Sequence, residues 1–313
     1  MANSGGRTNI PMAVLSSGTA YHIIQMPPQP TPMTNASPTC WEIILKKGIS
    51  NINTQDKKTK QTALHIATQH GNERLVDLLL SYKAKHNIQD SQGDTPLHLA
   101  IRNGHHSCSK RILECGSRKT NLANKAYNTP LHLAVRRGYK EIAADLLQKS
   151  TANINAPDNR QQTALHIATQ QGKEEFVDLL LNHHAKCSVQ DSQGNTPLHL
   201  ALEKENYTCS KKILETNNIN IDLVNKKLET PLHIAVSKGY KDIAKKLLEK
   251  STAKIDAQNK ANKDSALHIA AIMKREDIVD LLLENKAKSN IQNSKGTTPL
   301  HLAVKKKKLG YCQ

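Results

Sequence analysis

A six-residue block of the form Thr-(Pro/Ala)-Leu-His-(Ile/Leu)-Ala recurs eight times, with its histidine at His65, His98, His132, His166, His199, His233, His268 and His301. One copy opens on Ser265 instead of threonine, and successive histidines stand 33 to 35 residues apart. A period of that length means a stack of small supersecondary units, none of which can bury its apolar face alone. The unit beginning at Thr129 shows how one is built. Thr129 is placed to N-cap a helix, and Pro130 follows at the first helical position, where a missing N–H costs nothing. Leu131, Leu133 and Ala134 supply a short first helix that Gly138 ends, and Ile142, Ala143, Leu146 and Leu147 recur at helical spacing for a second. A polar loop over residues 158–162 then leads to the next block at Thr163.

The period and the T-P-L-H-x-A signature resemble those of ankyrin repeats, over residues 40 to 313. The resemblance implies an all-α solenoid of stacked helix-turn-helix units with projecting loops. Residues 1–39, rich in Pro, Ser, Thr, Asn and Met, read as a disordered N-terminal segment, and residues 40–61 as a degenerate half repeat. Seven repeats are expected at 62–94, 95–128, 129–162, 163–195, 196–229, 230–264 and 265–297, followed by a truncated eighth at 298–313. In ankyrin repeats the motif histidine hydrogen-bonds locally and braces the adjoining loop, and the resemblance implies the same role for all eight histidines here.

A longer period overlies the first. Residues 62–94 match 163–195 at 22 of 33 positions but match the adjacent 95–127 at only 6, so the duplicated block is three repeats, about 101 residues. Similar side chains are therefore expected to recur along the surface at every third repeat.

Several function classes are excluded at this level. Six cysteines never form a C-x-x-C pair, which removes the usual zinc spacings. Cys108 and Cys209 fall where the other units carry large apolar residues and read as buried and inert, whereas Cys115 and Cys187 read as incidental surface thiols. Histidines that recur at one structural position are not expected to ligate a metal or to catalyse. No nucleophile motif or phosphate loop is present, so neither an enzymatic activity nor a cofactor is expected. No stretch approaches the roughly 20 apolar residues of a membrane span, and no signal peptide is legible. The cytoplasm is the expected compartment, with the nucleus as an alternative because residues 305–308 form a lysine run.

What is left is surface. With 44 basic against 27 acidic side chains the net charge is +17, rising from +3 over residues 1–100 to +5 over 101–200 and +9 over 201–313. Positions four and five after each motif histidine trace a polar, basic strip that includes Arg102, Arg136-Arg137, Lys204 and Lys238, with one apolar step at Ile272-Met273. Loop tips add Tyr127 and Arg160. Ankyrin proteins dock partners on their concave side, so the resemblance implies a non-enzymatic protein-interaction scaffold, and the basic strip points to an acidic segment of a protein partner. Arg136 and Arg137 are the expected anchors, Ile272-Met273 the expected apolar contact, and a monomer the expected state. Two other readings accompany it. The runs 89–98 and 218–222 resemble the ankyrin region of mind bomb-type ubiquitin ligases; with no C-x-x-C pair for a RING zinc site, that resemblance implies a substrate-recognition or regulatory piece. Alternatively the lysine-rich face binds nucleic acid or an anionic membrane, against which the near absence of Phe and Trp weighs.

Overall fold

The computed structural model describes residues 39–48, 51–115, 120–149, 153–217 and 219–307, the side chains of 306 and 307 excepted. The N-terminal segment expected to be disordered, and Lys308 of the lysine run, lie outside the described residues. The chain divides into two units, residues 1–50 and 51–313. In the first, α1 (Cys40–Lys46) is opened by Thr39, whose backbone N–H donates to Glu42 Oε2 at 2.9 Å.

The second unit is all α among its described residues. Helix pairs follow one another: α2 (Ala63–Gln69) with α3 (Glu73–Ser81), α4 (Pro96–Asn103) with α5 (His106–Glu114), and α6 (Pro130–Arg137) with α7 (Lys140–Lys149). Then come α8 (Ala164–Gln170) with α9 (Glu174–Asn182), α10 (Pro197–Glu203) with α11 (Tyr207–Leu214), α12 (Pro231–Lys238) with α13 (Lys241–Lys250), and α14 (Ala266–Ile272) with α15 (Glu276–Glu284). The last described helix is α16 (Pro299–Lys307). First helices pack against neighbouring first helices and second against second, giving the solenoid.

The motif residues explain why each pair starts where it does. Thr62, Thr129, Thr196 and Thr230 accept the N–H of the histidine three residues on at 3.4 Å, and Pro96, Pro130, Pro197 and Pro231 occupy the first helical turn. Leu64, Leu97, Leu131, Leu165, Leu198, Leu232 and Leu267, all buried, form one rib of the core. Ala67, Ala100, Ala134, Ala168, Ala201, Ala235 and Ala270 form a second rib, small enough for neighbouring helices to approach closely. With aliphatic ribs repeated at every unit, the core has little use for aromatic rings.

The first helices end through a contact with the following repeat. Asn206 Nδ2 donates to Thr169 O at 2.6 Å, and Lys173 Nζ donates to Val135 O and Arg136 O at 2.7 and 2.8 Å. His105 Nε2 reaches Gln69 O at 3.1 Å. Each caps carbonyls left over at a helix C-terminus. Where His105 and Asn206 make it, that approach needs glycine beneath it. A Cβ on Gly172, where φ is +66°, would stand 2.7 Å from Asn206 Oδ1, and one on Gly71 2.5 Å from His105 Nδ1.

Candidate concave and fingertip surface

Between a second helix and the next motif block the chain forms a finger, braced by an Asp or Asn side chain. Asp90 Oδ1 accepts the N–H groups of Gln92 and Asp94 at 2.8 and 2.9 Å, and Asn124 Oδ1 those of Ala126 and Asn128 at 3.0 Å each. Asp158, Asp191 and Asn225 repeat the arrangement. Fingers also bond to one another. Lys125 N donates to Gln92 O at 3.0 Å, Ser192 N to Arg160 O at 2.8 Å and Lys226 N to Gln193 O at 2.8 Å. Gln190 Nε2 staples two fingers by donating to Gly194 O at 2.7 Å and Val224 O at 2.8 Å. The tips are therefore held rigidly in a row.

The motif histidines tie this row to the helices. In seven blocks Nδ1 accepts the backbone N–H of the capping Thr or Ser at 3.1–3.2 Å. Nε2 lies 2.9–3.1 Å from a carbonyl of the next finger. A backbone N–H only donates and a carbonyl only accepts, so the proton sits on Nε2 and the ring is neutral. Burial pushes His65, His98, His132, His166 and His233 below the usual histidine range and holds His199 at about 4. Both ring nitrogens are committed to the scaffold, which leaves none for a ligand. His301 keeps only the Thr298 half of the motif and is exposed. Among the described residues no group of three His, Cys, Asp or Glu side chains is placed to hold a metal ion.

The basic residues of the strip divide into two kinds. Arg102 Nη1 lies 2.7 Å from Asp94 Oδ2, with the arginine side chain 39% and the aspartate side chain 1% exposed. Arg136 donates to Asp158 Oδ2 at 3.4 Å and to Asn128 Oδ1 at 3.1 Å. These two arginines are half spent neutralising buried finger carboxylates. Arg136 is thus already engaged within the array, and a glutamate there would face buried Asp158 and weaken it. Arg137 and Arg160 are exposed and make no ion pair with a described residue. Lys204 is exposed, and Lys238 Nζ is bound to Glu205 Oε1 at 2.6 Å. Arg136 and Arg160 come together across a polar recess of about 500 Å³ that Asn128, Gln162, Gln170 and Gln171 also line.

Two further expectations change. Ile272 is half-buried at the end of α14 and only Met273 is open to solvent, so the pair is not an exposed apolar step. Cys187 is buried, not a surface thiol. It lies under the descent from α9 to the finger, with Thr216 Oγ1 3.7 Å from its sulfur, and burial pushes its thiol up. Cys108 and Cys209 are buried as expected, their thiols raised to about 11, and Cys115 is exposed. Tyr127 is exposed at a fingertip in the left-handed region. Leu228, at the equivalent tip one three-repeat block later, is a surface residue that the basic strip did not include. Adding the block length of about 101 residues to Tyr127 would have found it.

A family model described as ankyrin repeats in three copies matches residues 33–123, 110–191, 179–259 and 251–313. Inversin from Gallus gallus is 39% identical over 75 residues, which are 24% of this chain and 7% of inversin. Rabankyrin-5 from Mus musculus is 40% identical over 58 residues, covering 18% of this chain and 5% of that protein. The ADP-ribosylation factor GTPase-activating protein AGD4 from Arabidopsis thaliana is 44% identical over 55 residues, 18% of this chain and 7% of that protein. The chain therefore spans less than a tenth of the curated relatives it matches. Among solved structures, the ankyrin repeat domain of Bcl-3, titled a unique member of the IkappaB protein family, aligns with a TM-score of 0.58 at 30% identity. The alignment covers 68% of this chain and 95% of that one.

Proposed function

This chain belongs to the ankyrin-repeat family, and from that premise we propose that it is a non-enzymatic interaction scaffold whose concave and fingertip surface recognises an acidic segment of a protein partner. The observation that carries this reading is the recess between Arg136 and Arg160. There a guanidinium held by a buried carboxylate and one with no ion-pair partner among the described residues converge among amide side chains, beside fingers that hydrogen bonds have already ordered. Guanidinium groups take carboxylates bidentately, and a pre-ordered site loses little entropy on binding. Exposed Arg137 and Lys204 extend the positive strip on either side and steer association.

A fluorescein-labelled decapeptide of alternating Glu and Ser tests the proposal by anisotropy against the 313-residue chain. Arg137→Glu with Arg160→Glu is the variant of choice, because both side chains lie outside the buried ion pairs and an unchanged melting temperature certifies the fold. Binding weakened at least tenfold supports the site, and unchanged affinity sinks it. Single-stranded DNA of matched charge supplies the comparison for the polyanion reading. If DNA binds more tightly than the peptide and is lost between 50 and 200 mM salt, the lysine-rich face is a nucleic-acid surface instead.

A further inference from the structure

Each finger places one residue, two before the capping Thr or Ser, in the left-handed region. Gly93, Gly194 and Gly296 hold that position at three tips, and Lys60, Gln161 and Lys263 at three others. The remaining two carry Tyr127 with φ 58° and Leu228 with φ 55°. A residue with a Cβ is strained in this region, and a bulky apolar one is the least expected occupant. Neither side chain is recovered by packing, since Tyr127 is 62% and Leu228 47% exposed. They are also not independent. Their numbers differ by the 101-residue block, so they are the same tip in successive three-repeat blocks, and a lysine precedes each by two residues, Lys125 and Lys226. A strained, solvent-exposed apolar residue retained at both copies of one position points away from folding and toward contact.

We infer that Tyr127 and Leu228 are a matched pair of apolar contact points. Their occupant is a single extended acidic segment with two apolar side chains spaced to meet them. The inference rests on the scaffold reading above and adds to it a spacing and a second chemistry. Stacked repeats advance by about one helix–helix distance, near 10 Å, so tips three repeats apart are about 30 Å from each other. An extended chain rises about 3.3 Å per residue, which puts the two apolar side chains about nine residues apart. Carboxylates between them would pass the Arg136–Arg160 recess and meet Lys226 and Lys227, so charge fixes the path while the two apolar contacts fix the register.

The probe is a labelled acidic peptide of Glu and Ser with two Phe residues nine positions apart. It is compared with one whose Phe residues are three apart and one with both replaced by Ser. The matched peptide is expected to bind about tenfold more tightly than the Phe-free one, with the close-spaced peptide nearer the latter. Tyr127→Gly and Leu228→Gly should each weaken the matched peptide several-fold and leave the Phe-free peptide unaffected. The melting temperature should hold or rise by about 1–2 °C, because glycine relieves the strained backbone. A merely structural role for these residues would lower it. If matched and Phe-free peptides bind alike, or the glycine variants weaken both equally, this inference is wrong while the acidic-segment reading stands. If none of the three binds, both fall together.

Discussion

His199 shows what a single motif residue contributes, because its Nδ1 accepts from the N–H of Thr196 at 3.2 Å while its Nε2 donates to Glu229 O at 3.1 Å. A second proton on the ring would set an N–H against an N–H. Burial alone already disfavours the charged form, and it holds the group at about 4. The unfolded chain, with histidine near 6.5, therefore binds more protons than the folded one between about pH 6.5 and 4. Stability is full above that window and falls as the pH drops through it, by roughly 3 kcal/mol for this residue. Five other buried motif histidines shift the same way and steepen the loss. Urea midpoints measured at pH 8.5, 7.5, 6.5, 5.5 and 4.5 should be level between the first two, begin to fall by pH 6.5 and then decline steadily. The decline should be shallower in His199→Gln, which keeps a polar side chain but does not titrate. A flat profile down to pH 4.5 would contradict the neutral ladder.

At the scale of the helix, the sequence reads best where one unit's own residues decide the outcome. Thr129, Pro130 and Gly138 announce the start and stop of α6, and they stand where capping chemistry puts them. It reads less well where a neighbouring unit decides. Arg102 and Arg136 occupy the same position after the motif histidine, yet one pairs with the finger before its helix, through Asp94, and the other with the finger after it, through Asp158. No spacing rule distinguishes the two. Cys187 shows the same limit, since its position varies between units yet it is buried beside Thr216 of the next repeat. Helix ends offer a test of the same division. Five of seven first helices end on or beside a glycine with positive φ, but α10 and α14 run into Glu205 at φ 63° and Lys274 at φ 55°. Lys274→Gly should stabilise the chain by about 0.5–1 kcal/mol, since relief of the left-handed strain exceeds glycine's added entropy in the unfolded state. Gly172→Ala should destabilise it by about 1–3 kcal/mol, because the new methyl must displace Asn206 from its bond to Thr169 O as well as adopt positive φ. Paired chemical denaturation curves decide both, and equal and small effects would mean that the helix ends tolerate strain.

For the repeat array as a whole, each helix pair touches only its neighbours, so stability is approximately a sum of unit and interface contributions and local opening is graded along the chain. Units with neighbours on both sides bury the leucine before the motif histidine, completely so at Leu165 and Leu198. In α16 the equivalent Leu300 is 70% exposed, and Val304, whose counterparts Val135 and Val236 are fully buried, is 58% exposed. Among the described residues that helix meets the array through α14. Charge acts in the same direction, because residues 201–313 carry +9 of the net +17 and repel one another most strongly. Amide hydrogen exchange followed by mass spectrometry should therefore show protection highest in α6 through α10, falling through α12 and α14 and lowest in α16. Raising salt from 20 to 200 mM shortens the Debye length from about 20 Å to about 7 Å. That change should slow exchange in α12 through α16 more than in α4 through α8. Protection uniform across the array would mean that it opens as one cooperative unit. Equal salt effects at both ends would mean that the charge gradient is too well screened by local ion pairs, such as Lys212 with Asp178 at 2.6 Å, to bear on stability at all.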